Sequence, residues 1–307
     1  MALDANSKKV YISKIVDHPA LDSTVEGIKD ALKEKGYIAG SNLELVIESA
    51  QGNASLAAQI AAKFAGHKPD VTVGVGTGSA QPLAKYAQKG EVKLVFSSIT
   101  DPIGANLVKN LEHPDSNTSG VSNFVDLKPQ LELFKKLQPT LTTLGIIYNP
   151  GELNSVAIVN KLKVEAPKLG ITLIEQAANR TTDIPQATTK LVNQVDAIFI
   201  SNDNTALSAL SNIIAIATKV KKPVYVSDTA AVVQGALAAL GPNQYDIGIQ
   251  TGQIIAEILA GKNINELPVQ FPTKTDLYLN TDTAKTLGIA IPQELLEKAV
   301  KIIGNSK

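Results

Sequence analysis

The residues best suited to chemistry in this chain are hydroxyls, amides and carboxylates that follow short apolar runs. The run 70–75 leads into Gly76-Thr77-Gly78-Ser79, and the run 93–96 leads into Ser97-Ser98-Ile99-Thr100-Asp101-Pro102. A tight glycine turn entering a helix presents the first backbone N–H groups of that helix, and such a site accepts an anion without help from arginine. Thr77, Gly78 and Ser79, joined by the hydroxyls of Ser98 and Thr100, are therefore candidates to hold a carboxylate or a phosphate. Asp101 before Pro102 reads as a helix cap. The pattern Gly74-Val75-Gly76-Thr77-Gly78-Ser79 is not the dinucleotide fingerprint: it follows the third strand, and no acid ends the next one. No Gly-Lys-Ser/Thr sequence exists to make a phosphate-binding P-loop.

A second group of polar loops lies farther along. Asn149-Pro150-Gly151-Glu152-Leu153-Asn154-Ser155, Asn202-Asp203-Asn204 and Ser227-Asp228-Thr229 each follow a predicted strand. Asp203 and Asp228 stand at strand tips and can pair with an ammonium, while Asn149, Asn154 and Ser155 complete the same wall. The competing reading is that each acid caps the helix after it. His18, beside Pro19 on the first loop, is placed to touch a ligand. It has neither an orienting acid nor a nucleophile at a recognisable spacing, so no catalytic set is expected. No His-x-x-x-His pattern or carboxylate pair suggests a metal, and no cofactor motif is present.

These loops need strands to position them, and the strand–helix pattern runs twice. Strands are predicted at 9–15, 43–48, 70–75 and 93–96, and again at 143–148, 171–176, 196–200, 223–226 and 236–240. Between them lie amphipathic runs expected to form helices at 55–65, 80–88 and 127–137, with a short one at 103–110. Alternation of this kind means an α/β fold with two doubly wound, Rossmann-like parallel sheets, whose ligands lie beyond the carboxyl ends of the strands. Lobe 1 is expected over 9–122 plus 243–272, and lobe 2 over 123–242 plus 273–307. A strand inside 113–123 makes the first crossing, 241–244 the return, and three crossings would form a hinge with a cleft between the lobes. The helix 247–259 is expected on lobe 1; a strand near 276–279 and a helix over 293–303 are expected on lobe 2. Residues 1–8 are polar and read as a disordered start left by a removed leader or anchor.

Composition narrows the partners. The 307 residues are 44% hydrophobic, enough for two cores, and carry 29 basic and 29 acidic groups. A zero net charge is not the footprint of a nucleic-acid binder. Arg180 is the only arginine, which argues against an arginine cluster gripping several phosphates. Cysteine is absent, so disulfides and thiol chemistry are excluded. No apolar run is long enough to span a membrane.

Several segments together resemble one family: Asp17-His18-Pro19-Ala20-Leu21-Asp22, Gly76-Thr77-Gly78-Ser79-Ala80-Gln81, Ile99-Thr100-Asp101-Pro102, Asn117-Thr118-Ser119-Gly120-Val121-Ser122, Tyr148-Asn149, Glu152 with Asn154-Ser155, Asp203-Asn204 and Gly235-Ala236-Leu237-Ala238. Their order, over about residues 9–303, is similar to the ABC-transporter substrate-binding proteins of the tryptophan/tyrosine-uptake type. The resemblance implies a type I periplasmic-binding-protein fold with three crossovers and hinge closure. It implies an extracytoplasmic protein, lipid-anchored in some relatives, that passes an aromatic amino acid (Trp, Tyr or Phe) to ABC permease subunits. The residues agree independently, since an anion site and a pair of acids match the two charges of an α-amino acid. The rival is a two-lobed enzyme, racemase-like or glycosyltransferase-like, which would need acid–base groups or a nucleotide site.

Overall fold

The structure is a computed structural model that describes residues 7–304. The expected disordered start lies largely outside the described residues, but Lys8 already belongs to the first strand. The chain divides into two compact units and passes between them three times. The first holds the residues up to Phe124 and Gln244–Thr273; the second holds Val125–Asn243 and the residues from Lys274 onward.

The first unit runs β1 (Lys8–Lys14), α1 (Pro19–Glu34), β2 (Leu43–Ser49), α2 (Ala54–His67), β3 (Val71–Val75), α3 (Thr77–Ala87), β4 (Leu94–Ile99) and β5 (Thr118–Ser122). Its sheet has the order β2-β1-β3-β4-β5 with every pairing parallel. Strands β3 and β4 are buried along their whole length, as expected for a parallel sheet covered on both faces. Strand order reverses between β1 and β3, so the crevice beyond their carboxyl ends is where an open α/β sheet takes its ligand.

The second unit runs α4 (Leu127–Leu137), β6 (Thr143–Tyr148), α5 (Leu153–Glu165), β7 (Thr172–Ala177), α6 (Ile184–Leu191), β8 (Ala197–Ile200), α7 (Asn204–Ser208), α8 (Leu210–Lys219), β9 (Val224–Val226) and β10 (Ala238–Gly241). The chain then returns to the first unit as α9 (Gln244–Leu259), which packs on α1. That packing depends on glycine: a Cβ on Gly27 would stand 2.2 Å from the carbonyl oxygen of Tyr245. The last elements, β11 (Asp276–Asn280), α10 (Thr281–Leu287), α11 (Gln293–Lys298) and β12 (Lys301–Ile303), belong to the second unit. Its sheet order is β12-β11-β10-β9-β8-β6-β7, with the reversal between β6 and β8.

The structure departs from the sequence reading in four places. Strand β11 runs antiparallel to β10, so the second sheet is mixed. The last helix stops at Lys298 because Ala299 turns extended and the β-branched residues that follow pair with β11. No helix forms over 103–110; Asn106 has φ +58°, a left-handed conformation that breaks the helical path, and Asp101 Oδ1 instead accepts from the Gly104 N–H at 2.9 Å. Finally, β4 continues to Ile99 and α3 begins at Thr77, which moves Ser97 and Ser98 into a strand and Thr77–Ser79 into a helical turn.

Candidate functional site

In the first unit the strand-end residues form a wall of hydroxyls and N–H groups. Gly76 caps α3 with φ +84°, a backbone that favours glycine, and its carbonyl accepts from the N–H groups of Ser79 and Ala80 at 3.1 Å each. The N–H groups of Thr77 and Gly78 have no carbonyl in their own helix. The Thr77 hydroxyl is buried and has no hydrogen-bond partner among the described residues. Gly78 is partly exposed; a Cβ there would press on Ile15 Cδ1 at 2.8 Å. Ser79 is fully buried and accepts from Ser13 Oγ at 3.1 Å, across the β1/β3 reversal.

The other first-unit candidates are held by their own fold. Ser98 sits in a bulge of β4 with φ +57°, and its hydroxyl donates to Gln244 Oε1 at 2.8 Å beside Thr24. Thr100 donates to Asn123 Oδ1 at 3.2 Å. His18 is buried and caps α1, its Nδ1 accepting from the Leu21 N–H at 3.4 Å, which leaves Nε2 as the ring N–H. Pro19 is exposed at the first position of α1, where a missing N–H costs nothing. Lys14, at the end of β1, is buried and bonded to Asp17 at 2.7 Å and to Asp22. Burial would lower its ammonium, but the two carboxylates prevail and hold it above its ordinary value.

In the second unit the corresponding loops carry acids. Asp203 is fully buried: Oδ2 accepts from the Asn149 N–H at 2.6 Å, and Oδ1 caps α7 through Ala206 N–H at 2.7 Å. Burial, aided by the negative charge of Glu152, pushes its carboxyl up to about 7 against those bonds. Ser155 stands close enough to favour the charged form of Asp203, yet its hydroxyl closes no hydrogen bond of ordinary geometry. Asn149 Nδ2 donates to Thr205 Oγ1 at 2.9 Å and to Asn179 O at 3.2 Å. Asn154 Nδ2 donates to Asn202 O at 2.7 Å.

Asp228 differs from Asp203. It is buried at the end of β9, and among the described residues the only hydrogen-bond partner of its carboxylate is the Ala230 N–H, at 3.2 Å on Oδ1. Burial alone pushes its carboxyl up to about 6. Ser201, at the end of β8, is a buried hydroxyl without a partner among the described residues. Both acids are thus helix or turn caps, as the competing reading held, but Asp228 keeps an oxygen for something else.

The expectations from sequence therefore fall into distinct groups. Thr77, Gly78 and Ser79 sit together at one helix start; Ser98 and Thr100 lie on the adjacent strand end but are bonded inward; His18 and Pro19 open α1. Asn149, Asn154, Ser155 and Asp203 gather at the β6/β8 reversal, and Asp228 stands one strand farther on. Sequence reasoning missed Ser13, Thr24, Gln244 and Ser201. Thr24 lies mid-helix, and Gln244 is 146 residues from Ser98, so no local motif announces either. Among the described residues no group of three or more His, Cys, Asp or Glu is placed to hold a metal, and no helix is long and apolar enough to cross a membrane.

Comparison with known proteins places these walls in context. Residues 9–303 match the family model of the ABC transporter substrate binding protein. A "Tyrosine-binding protein" of Clostridioides difficile (strain R20291) is 33% identical over 296 residues, 96% of this chain and 84% of that one. Among solved structures, a conserved domain protein from Vibrio cholerae O1 biovar eltor is 42% identical, with TM-score 0.92 over 96% of this chain and 99% of that one. A crystal structure of an ABC domain in complex with L-Trp from Streptococcus pneumonia is 34% identical, with TM-score 0.93 over 97% of this chain and all of that one (100%).

Proposed function

The chain belongs to the ABC transporter substrate-binding family, and from that premise we propose that it binds an aromatic amino acid, with tryptophan and tyrosine the first candidates. The relative named for tyrosine and the neighbour crystallised with L-Trp favour this class. The observation that carries the reading is the chemistry of the two sets of strand ends. One offers the Thr77 hydroxyl and the first N–H groups of α3; the other offers Asp228, a buried carboxylate with one hydrogen bond. An α-carboxylate needs the first kind of partner, and an α-ammonium taken out of water needs the second.

In this reading Thr77, Gly78 and Ser79 hold the carboxylate, with Ser98 and Thr100 behind them. Asp228 pairs with the ammonium, Asn154 and Ser155 complete that wall, and His18 with Pro19 packs on the aromatic side chain. Asn149 and Asp203 shape the loop. Binding favours a closed form, and the protein works outside the cytoplasm, delivering its ligand to ABC permease subunits. A lipid anchor is part of the same proposal.

A thermal-shift screen of the twenty amino acids tests this directly. A ligand at about 100 times its Kd adds about 2.7 kcal/mol to stability. Tryptophan, tyrosine or phenylalanine should raise the transition most. A shift with sugars or nucleotides and none with amino acids would overturn the assignment.

A further inference from the structure

Glu152 lies in the loop between β6 and α5 and reaches across the β6/β8 reversal. Its two carboxylate oxygens accept five hydrogen bonds: from Asn204 N–H at 2.9 Å, Asn204 Nδ2 at 2.7 Å, Thr205 N–H at 3.0 Å, Thr205 Oγ1 at 2.7 Å and Asn154 Nδ2 at 3.2 Å. One side chain thus ties the loop after β6 to the start of α7. The same crevice is where an open α/β sheet binds its ligand, so a group that fills it also shapes what remains.

The bond to Asn154 has a consequence for polarity. The side-chain NH2 of Asn154 has two hydrogens; one goes to Glu152 Oε2 and the other to Asn202 O at 2.7 Å. Both partners are acceptors only. Turning the amide over would set Oδ1 against two oxygens, so the orientation is fixed by chemistry. Oδ1, an acceptor with two lone pairs, is the atom that Asn154 has left to offer.

We propose that Glu152 is a positioning residue for ligand recognition: it locks the Asn154 amide so that Oδ1 joins Asp228 as an acceptor for the ligand's ammonium. This rests on the amino-acid reading above and names how that site prefers an ammonium. The charge of Glu152 has a second effect, since together with burial it disfavours the charged form of Asp203. Asp203 then serves as the cap of α7 and the anchor of Asn149, and the ammonium is left to Asp228 and Asn154.

Calorimetry of the wild type, Glu152→Gln and Asn154→Ala tests the proposal. The probes are L-tryptophan and its deaminated analogue indole-3-propionate (or L-tyrosine and 3-(4-hydroxyphenyl)propionate if tyrosine binds better). In Glu152→Gln one oxygen becomes an NH2 that meets a backbone N–H, of Asn204 or of Thr205, whichever way the amide lies, so the hold on the Asn154 amide is weakened. We expect L-tryptophan to bind about tenfold or more weakly to both variants, a loss of roughly 1.4 kcal/mol. The deaminated analogue should change by less than about twofold, because it has no ammonium to lose. A purely structural role for Glu152 would weaken both probes alike and overturn the proposal. Asn154→Ala leaves four of the five bonds to Glu152 in place, so it remains informative if Glu152→Gln unfolds; an unchanged preference for the amine in that variant also overturns it. A wild type that binds neither amino acid fails the functional reading itself, a distinct result from equal losses.

Discussion

The two units share the order of a parallel core, β2-β1-β3-β4-β5 in one and β7-β6-β8-β9-β10 in the other, but not a polarity. Among the described residues every buried carboxylate, Asp203, Asp228 and Asp276, is in the second unit, while the buried ammonium of Lys14 is in the first. Both sheets reverse their strand order at one point, and both put helix starts and polar loops there. In the first unit those loops end in a glycine cap, hydroxyls and a lysine paired with Asp17 and Asp22; in the second they end in buried acids. The parallel sheet supplies a place, and the residues at the strand ends decide which charge that place accepts.

The comparison is sharpest at Asp228. Replacing it by Asn keeps the cap acceptor for Ala230 but removes the charge. Calorimetry should show a loss of about 3 kcal/mol in amino-acid affinity, the scale of an ammonium left without its partner. Asp203→Asn, whose oxygens are both spent on backbone N–H groups, should cost far less. A larger loss at Asp203 would reassign the ammonium partner.

The next effect concerns the close packing behind each wall. Gly74 in β3 and Gly145 in β6 both face a helix. A Cβ on Gly74 would lie 2.5 Å from Ala80 Cα, a backbone atom, whereas one on Gly145 would meet the end of Leu191 at 2.8 Å. Gly74→Ala should therefore destabilise by about 2 kcal/mol in denaturant unfolding, and Gly145→Ala by under about 1 kcal/mol, because a leucine tip can turn away. Equal losses would mean that the first helix start yields as easily as a side chain.

The acids also make stability depend on pH in a defined direction. Asp203 and Asp228 are raised from 3.8 to about 7 and about 6. Between these limits the folded chain holds protons that the unfolded chain has released. Their contribution is fully present below about pH 4 and is lost as pH rises through 6 to 7, read as falling stability in thermal or denaturant unfolding of the ligand-free protein. Asp228→Asn should remove part of that slope. A flat profile would contradict the burial argument. The smallest effect belongs to the first unit: Thr77→Val should weaken the amino acid by about 1 kcal/mol, with no such loss for the amino-acid amide, which lacks the carboxylate.

Much of this was legible in the sequence. The β-branched runs and glycine stops announced both sheets, and the positions of Thr77, Asp203 and Asp228 after predicted strands announced the strand-end groups. Local pattern failed where a distant partner decided the outcome. Val300 to Ile303 continue the apolar spacing of α11, but the open edge of β11 captures residues 301–303 as β12. Ser98 reads as a free hydroxyl until Gln244 arrives from α9 to bond it. Glu152 reads as one acid in a turn, and only the fold brings Asn204 and Thr205 onto it. Pairing across a reversal of strand order has no signature in either segment alone.

The central claim is that the ammonium of the ligand is read by Asp228 in the second unit. Its most direct test is a two-by-two calorimetric cycle: wild type and Asp228→Asn, each titrated with L-tryptophan and with indole-3-propionate. The account predicts that deamination costs the wild type at least about tenfold more in affinity than it costs Asp228→Asn, where Asn154 alone is left to meet the ammonium, a coupling of roughly 1.4 kcal/mol or more. Equal losses in both proteins would place the ammonium elsewhere and contradict it.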